Sequence, residues 1–349
     1  MNEELISKAS MMDAELAEFL SKHPVPKADW SNLDKFRTAR AGLAEKRLKE
    51  QGSPGPGFEE EFRTISMRDG FQSRIKIHKP VNGDGPLIVL VFGGGFIVGN
   101  DEQLTPLGRA TAKAFTATTM TVSYRLAPEH KFPTPAHDVE DSLLWIASNA
   151  EKLGADPTKG FVLGGISAGG NLAACVAQKT LDDKSLSHPL TGLWLCVPWI
   201  FPLDKDLVPE RYKNIYNSRE QANNVPVLDK DALVAINSHV SPDASSPLHS
   251  PFNSKTPHKG LPPTYIQVCG LDPLRDDGLV YERVLHDHGV VTRLDVWPGV
   301  PHAHFAFFPF LAISKQAVTD IIMGFNWLLG TDMSAQTIHG LLAPGQIGA

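Results

Sequence analysis

Gly165-Ile166-Ser167-Ala168-Gly169 sets a serine between two glycines, directly after the apolar run Phe161-Val162-Leu163 and before a helical stretch, Asn171 to Gln178. A serine hydroxyl attacks carbonyl carbon well only when a neighbouring base takes its proton. G-x-S-x-G between a strand and a helix is the setting of a nucleophile elbow, whose glycines permit the sharp turn that lifts the hydroxyl clear of a sheet. At a helix N-terminus, that hydroxyl and the next backbone N–H also feel the positive end of the dipole. The bland reading is a glycine-rich strand–helix turn, since five-residue matches arise by chance. The strand and helix context, together with a second glycine run, favours the chemical reading.

That second run is Phe92-Gly93-Gly94-Gly95-Phe96, at the end of the apolar segment Leu87 to Phe92. Backbone N–H groups at Gly93, Gly94 and Gly95 could approach a substrate closely and stabilise a developing oxyanion. A phosphate-cradling loop is the alternative, but the chain has neither G-x-x-x-x-G-K-[ST] nor G-x-G-x-x-G. The serine then needs a base, and the base an orienting acid, in the chain order serine, acid, histidine. Two later loops supply them: Gly270-Leu271-Asp272-Pro273-Leu274-Arg275-Asp276-Asp277 and Pro298-Gly299-Val300-Pro301-His302-Ala303-His304-Phe305. Both follow apolar strands, at the sheet edge where ligands bind in open α/β folds. Asp272 comes soonest after its strand and is the expected acid, ahead of Asp276 and Asp277, which start a helix. A cap or turn role remains its ordinary alternative. His302 is the expected base, with His304 as its rival among 13 histidines.

These loops must be presented by a regular scaffold. Phe71, Ser73, Ile75 and Ile77 alternate with Gln72, Arg74, Lys76 and His78, as in a strand with one wet face. Short apolar runs at 87–92, 120–124, 161–163, 193–197, 264–268 and 291–297 read as strands covered on both sides. Helical stretches at 104–115, 138–150, 168–179, 276–288 and 315–329 fall between them. The alternation predicts an α/β fold with a mostly parallel central sheet flanked by helices. Leu5, Met12, Leu16, Phe19 and Leu20 share a helical face, and a second charged, amphipathic stretch runs from Leu33 to Leu48. Gly52-Ser53-Pro54-Gly55-Pro56-Gly57 is the clearest linker. The segment 201–259 is rich in Pro, Asn, Ser and Asp and too long for an ordinary loop, so it is expected to form an inserted subdomain or lid. The expected division is N-terminal helices over 1–51, core over 58–200 and 260–330, insertion over 201–259 and a tail over 331–349.

Composition narrows the rest. The 349 residues are 42% hydrophobic and 21% charged, with formal net charge −6. There is no basic run, which disfavours nucleic-acid binding. No apolar stretch reaches the roughly 18–20 residues of a membrane span. The first twenty residues mix acids among their apolar positions, unlike a secretory signal. Cys175, Cys196 and Cys269 are odd in number and widely spaced, as reduced thiols in a cytoplasmic protein would be. His286-Asp287-His288 and His302-Ala303-His304 lack a cysteine or carboxylate cluster at ligand spacing, so neither a metal nor another cofactor is expected.

Together the motifs resemble the hormone-sensitive-lipase family of α/β-hydrolases, the bacterial-type esterases and their fungal relatives. Further support comes from Tyr124-Arg125-Leu126-Ala127-Pro128-Glu129, Phe132-Pro133, Gly169-Gly170-Asn171 and Asp272-Pro273-Leu274-Arg275-Asp276. The likeness covers about residues 60–200 and 255–330. It implies Ser167 as nucleophile, His302 as general base and acid, Asp272 as its partner, and an oxyanion hole from the N–H groups of Gly93, Gly94, Gly95 and Ala168. It also implies a helical cap built from the N-terminal helices and the insertion, with Trp30, Phe36, Trp199, Ile200, Phe201, Tyr212 and Tyr216 as candidate pocket residues. Two positions depart from the family pattern: Phe92 stands where it usually has His, and Ile166 where it often has Asp. The base loop reads Pro-His-Ala-His where the family often has Pro-His-Gly-Phe. Phe307-Phe308-Pro309 resembles fungal members, several of which act on secondary metabolites. The expected activity is serine carboxylesterase, acting on short or medium acyl esters or an esterified metabolite. A lyase, cyclase or acyltransferase is the alternative, as is a small-molecule-binding protein, and the N-terminal helices could serve homo-oligomer contacts. The intact Ser, His and Asp set argues against a receptor.

Overall fold

A computed structural model describes residues 3–25, 32–50, 52–204 and 206–342. Eight strands form one sheet: β1 (Phe58–Ser66), β2 (Gln72–Pro80), β3 (Leu87–Val91), β4 (Thr118–Val122), β5 (Phe161–Ile166), β6 (Gly192–Cys196), β7 (Thr264–Cys269) and β8 (Thr292–Trp297). Their order is β1-β2-β4-β3-β5-β6-β7-β8, and every pairing from β4 to β8 is parallel. The α/β expectation holds. Strands β3 to β7 are buried along their whole length, which is why none shows the alternation of a strand with one wet face. Twelve helices accompany the sheet among the described residues. They are α1 (Glu3–Ala9), α2 (Ala14–Lys22), α3 (Leu33–Glu50), α4 (Thr105–Phe115), α5 (Thr134–Asn149) and α6 (Ala168–Asp183), followed by α7 (Ser218–Gln221), α8 (Lys230–Val240), α9 (Arg275–Asp287), α10 (His304–Phe307), α11 (Ala312–Leu328) and α12 (Ala335–Leu342). None is long and apolar enough to cross a membrane.

Three local departures have identifiable causes. Sequence reading assigned no strand at 58–66, yet β1 pairs antiparallel with β2 along nine residues at the sheet edge. The expected wet face of β2 is covered at its far end. Lys76 and His78 are only 4% and 1% exposed because β1 and α4 lie over them. There Glu60 bonds His78 Nδ1 at 2.8 Å and Arg109 Nε at 2.7 Å, while Lys76 reaches Glu102 at 2.5 Å. β4 begins two residues before its apolar run, since Thr118 and Thr121 satisfy their buried hydroxyls on the carbonyls of Gly154 and Asp101.

The chain outside the sheet matters for what it brings over the site. On α3 the half-buried residues are Leu33, Phe36, Arg37 and Arg40, one stripe at helical spacing, with Leu48 further along. Arg37 clamps this helix to the core, donating to the Ile97 carbonyl at 2.8 Å and to both carboxylate oxygens of Glu129 at 2.7 and 2.9 Å. The Arg37 hydrogen bond holds the Glu129 carboxyl down at about 2. Segment 201–259 contains α7 and α8 and, among its described residues, no strand. Within 331–342, where a tail was expected, α12 packs with buried Ile338 against α4 and α11. The last seven residues of that tail lie outside the described residues.

Two acids at the start of α9 pin the inserted segment. Asp276 accepts from the N–H groups of Asn217 and Ser218, both at 2.7 Å. Asp277 accepts from the N–H groups of Ile200 and Phe201, from Tyr216 Oη at 2.7 Å and from Arg219 at 2.9 Å. Burial raises the Asp277 carboxyl above its ordinary range, and Arg219 beside it offsets only part of that rise. Asp277→Ala would leave the half-buried Arg219 without a carboxylate, holding only the carbonyls of Phe201 and Pro202, and free two backbone donors. The expected loss is about 3–5 kcal/mol of unfolding free energy, measured by urea denaturation. A loss below about 1 kcal/mol would show that water replaces the carboxylate.

Candidate active site

At the carboxyl end of β5 the chain turns into α6 through Ser167, whose backbone lies at φ 59°, ψ −119°. Non-glycine residues avoid positive φ, so the surroundings must impose it. Ser167 N–H donates to the Cys196 carbonyl at 2.8 Å, and the following turn passes hard against β3. A Cβ on Gly169 would lie 2.2 Å from the Val91 carbonyl oxygen and 2.4 Å from that of Phe92, so only glycine fits. The elbow expected from the sequence is therefore present, with its hydroxyl at the sheet's carboxyl edge.

The structure brings Ser167, His302 and Asp272 into one hydrogen-bonded chain. His302 Nε2 lies 2.8 Å from Ser167 Oγ, and its Nδ1 lies 2.6 Å from Asp272 Oδ2. Asp272 is buried and its other oxygen accepts from Leu274 N–H at 2.8 Å, which fixes the carboxylate plane. The loops carrying acid and base are joined to each other, as Gly270 N–H donates to the Trp297 carbonyl and Leu271 N–H to that of Val300.

The rival residues have other duties. His304 is fully buried, sits edge-on to Trp297 at 5.2 Å and bonds Ser314 through Nδ1 at 2.8 Å. Burial pushes its pKa down to about 3. Asp276 and Asp277 hold the inserted segment, as described above.

Gly93 packs against the elbow, and an added Cβ there would lie 2.7 Å from the Ile166 carbonyl oxygen and 3.2 Å from Ser167 Cβ. No backbone carbonyl among the described residues accepts the N–H of Gly94 or Gly95. Ala168, the first residue of α6, has an N–H that no helical carbonyl can reach. Phe92 is buried and stacks flat on Tyr124, with ring centroids 4.1 Å apart. Tyr124 Oη donates to the Phe92 carbonyl at 3.0 Å. The glycine loop is thus held by an aromatic stack and one hydroxyl. Ile166 is buried beside Ser167 and adds an apolar surface to the site.

A cavity of about 1230 Å³ opens over Ser167 and His302. Of the pocket residues expected from sequence, Phe36 and Trp199 line it. Ile200, Phe201, Tyr212 and Tyr216 do not: the first two are buried in packing, Tyr216 bonds Asp277 and Tyr212 bonds Asp287. Trp30 lies outside the described residues. Sequence reading missed Leu126, Leu228, Ile236, Phe305 and Phe307, which line the cavity from separate segments. Asn171 was noted only as part of a motif. It holds the Trp199 wall, donating to the carbonyls of Trp199 and His249 at 2.6 and 2.8 Å. Among the described residues, no group of three or more His, Cys, Asp or Glu is placed to hold a metal ion.

Comparison with known proteins agrees with this fold. A family profile described as alpha/beta hydrolase fold matches residues 88–306. An AB hydrolase superfamily protein of Schizosaccharomyces pombe is 37% identical over 92% of this chain and 95% of its own. A versiconal hemiacetal acetate esterase of Dothistroma septosporum is 34% identical over 85% of this chain and 88% of its own. Among solved structures, vibralactone cyclase superposes with a TM-score of 0.86 at 31% identity, over 95% of this chain and 97% of that one.

His304 gives this site a pH test. An unfolded histidine titrates near about 6.5, whereas the buried ring stays neutral down to about 3. Between those values the unfolded chain binds the proton that the folded chain refuses. Stability is therefore full above about pH 6.5 and falls as pH drops toward about 3. His304→Asn should lessen the fall in Tm between about pH 6.5 and 4.5 and leave kcat at pH 8 within a few-fold of wild type. Identical Tm slopes would refute the assignment.

Proposed function

This chain belongs to the α/β-hydrolase fold family and is an enzyme of the carboxylesterase-type serine hydrolases, and on that premise we propose that it hydrolyses a small-molecule carboxylic ester through Ser167, His302 and Asp272. The observation that carries this is the continuous hydrogen-bonded chain from Ser167 Oγ through both ring nitrogens of His302 to Asp272. His302 Nε2 takes the Ser167 proton as Oγ bonds to the ester carbonyl carbon. The carbonyl oxygen, now an oxyanion, accepts the N–H groups of Gly94, Gly95 and Ala168 beside the packed Gly93, each donor worth about 3–4 kcal/mol in comparable sites. His302 then gives its proton to the alcohol oxygen, the C–O bond breaks and the acyl group stays on Ser167. Water, deprotonated by the same ring, releases the acid and restores the serine. Asp272 holds the imidazole in orientation and stabilises its charged form.

The cavity favours a short acyl group on a bulkier, largely apolar alcohol. A Cβ on Gly95 would meet Ile236 Cδ1 at 2.9 Å, so α8 closes directly on one side of the oxyanion loop. Phe36, Phe305 and Phe307 line other parts of the same large cavity. The Dothistroma relative is named as an esterase of a hemiacetal acetate, and a short acyl group on a bulkier alcohol is the same kind of ester. The likeness to vibralactone cyclase supports a second reading, in which an internal nucleophile of the substrate takes the acyl group and closes a ring.

Intact mass after fluorophosphonate treatment tests the chemistry. Wild type should gain one stoichiometric adduct, lost in Ser167→Ala and slowed by at least about 100-fold in His302→Ala. A well-folded wild type without adduct would refute the proposal. Ester panels test the wall: Ile236→Ala should raise kcat/KM for isobutyrate relative to acetate esters by about 10-fold or more, and an unchanged ratio would remove Ile236 from that wall. Free acid as product supports hydrolysis, and a lactone supports ring closure.

A further inference from the structure

Residues 9–13 and the inserted segment converge on one buried side chain, Arg275, three residues after the acid Asp272. We infer that Arg275 is a positioning residue that couples both parts of the cap to the Asp272–His302 pair. This inference rests on the roles proposed for those two residues.

Arg275 is 1% exposed, so its guanidinium must find partners for all of its donors inside the protein. It does so in four directions. Nε and Nη2 donate to the Asp276 carboxylate at 2.7 and 3.1 Å. Nη1 donates to Ser10 Oγ at 2.6 Å and to the Gly270 carbonyl at 3.2 Å. Nη2 also donates to Asn217 Oδ1 and Gln221 Oε1, both at 3.0 Å. Ser10 lies just after α1, Gly270 opens the acid loop, and Asn217 and Gln221 belong to the insertion. Backbone N–H of Arg275 closes the acid loop on the Asp272 carbonyl at 3.0 Å.

The N-terminal segment is equally tied to the base loop. Gly299 N–H donates to the Ala9 carbonyl at 2.7 Å, and Asp13 N–H donates to the Gly299 carbonyl at 2.9 Å. A Cβ on Gly270 would lie 1.8 Å from the Ala9 oxygen and 2.8 Å from Gly299 N. Residues 9–13 therefore occupy the crevice between the acid and base loops. A shift of either part of the cap moves the groups that hold Asp272 against His302. Displacement of a reacting group by about 1 Å can cost on the order of 100-fold in rate.

Arg275→Lys keeps the charge against Asp276 and removes the fork that reaches Asn217 and Gln221. Ser10→Ala combined with Gln221→Ala loosens the same joint from its two ends without touching the charge. For each variant, kcat and KM on p-nitrophenyl acetate, the fluorophosphonate inactivation rate and Tm are measured. Arg275→Lys should lower kcat and the inactivation rate together by about 10–100-fold with KM within about 3-fold of wild type, and the double variant should do so by about 3–10-fold. Arg275→Lys with unchanged kcat and inactivation rate, whatever its Tm, would overturn the inference. So would an effect on KM alone, which would make the joint a wall of the pocket. If Arg275→Lys does not fold, the double variant decides on the same readouts. A wild type inert to fluorophosphonate would instead sink the catalytic reading itself, and is distinguishable from variants that react as fast as a reactive wild type.

Discussion

The backbone at Ser167 is held where a serine does not rest on its own, at φ 59°. Such a conformation costs on the order of 1–3 kcal/mol and survives only where neighbours over-determine it. Here the neighbours are the sheet itself. β5 lies between β3 and β6, and the register sets Val91 beside Gly165 and Cys196 beside Ile166. The Cys196 carbonyl then takes the Ser167 N–H, while the carbonyls of Val91 and Phe92 crowd Gly169 from the other side. Because the same strand ends carry the elbow and the glycine loop, the proposed nucleophile and oxyanion donors are fixed relative to one another by strand pairing. The proposed acid and base arrive by the same logic, on loops after β7 and β8, the next two strands in the order.

What the sheet cannot fix is the position of the parts above it. Among its described residues the inserted segment has the α-helices α7 and α8 and no strand, so no ladder holds them in place. Its position is set instead by directional polar contacts to Asp276 and Asp277, both fully buried. Apolar packing alone tolerates sliding, whereas a carboxylate receiving two backbone N–H groups and a guanidinium admits one arrangement. The helix that follows the Asp272 loop is thus also the anchor of the inserted segment. Asp-Pro-Leu-Arg-Asp-Asp reads along the chain as one motif because acid, coupling cation and anchors occupy consecutive corners of one joint.

The residues legible in the sequence were those whose environment is local. A glycine pattern between a strand and a helix states its own geometry, and Asp272 follows a fully buried strand, whereas the run before His302, expected to be covered on both sides, is an edge strand half-buried up to Trp297. What stayed hidden depends on partners far along the chain. β1 has four charged residues, Glu59, Glu60, Glu61 and Arg63, and pairs only at the sheet edge, so neither composition nor alternation revealed it. Lys76 and His78 read as solvent-facing because their cover, Glu60, Glu102 and Arg109, comes from β1 and the region of α4. His302, the expected base, and its rival His304 share one loop, and the third dimension shows the first facing Ser167 and the second Ser314. Cavity walls were the least legible, since an aromatic residue in a cap packs or lines with equal ease: Phe36 and Trp199 line, Phe201 and Tyr216 pack.

Phe92 and Ile166 then change the character of the site in one direction. Both put apolar surface where the resemblance would have put a polar side chain next to the oxyanion loop and the nucleophile. The loop keeps its shape through the Phe92–Tyr124 stack and the Tyr124 hydroxyl on the Phe92 carbonyl, neither of which brings charge to the site. Burial of Tyr124 pushes its phenol far above the ordinary range, so the hydroxyl stays a neutral donor. With apolar side chains at positions 92 and 166, the field from the Gly94, Gly95 and Ala168 N–H groups proposed as oxyanion donors meets a less polarisable surround. Backbone dipoles aimed by the sheet can thereby meet the oxyanion without a polar side chain at position 92, and the glycine loop retains its aim because its support is a packed ring.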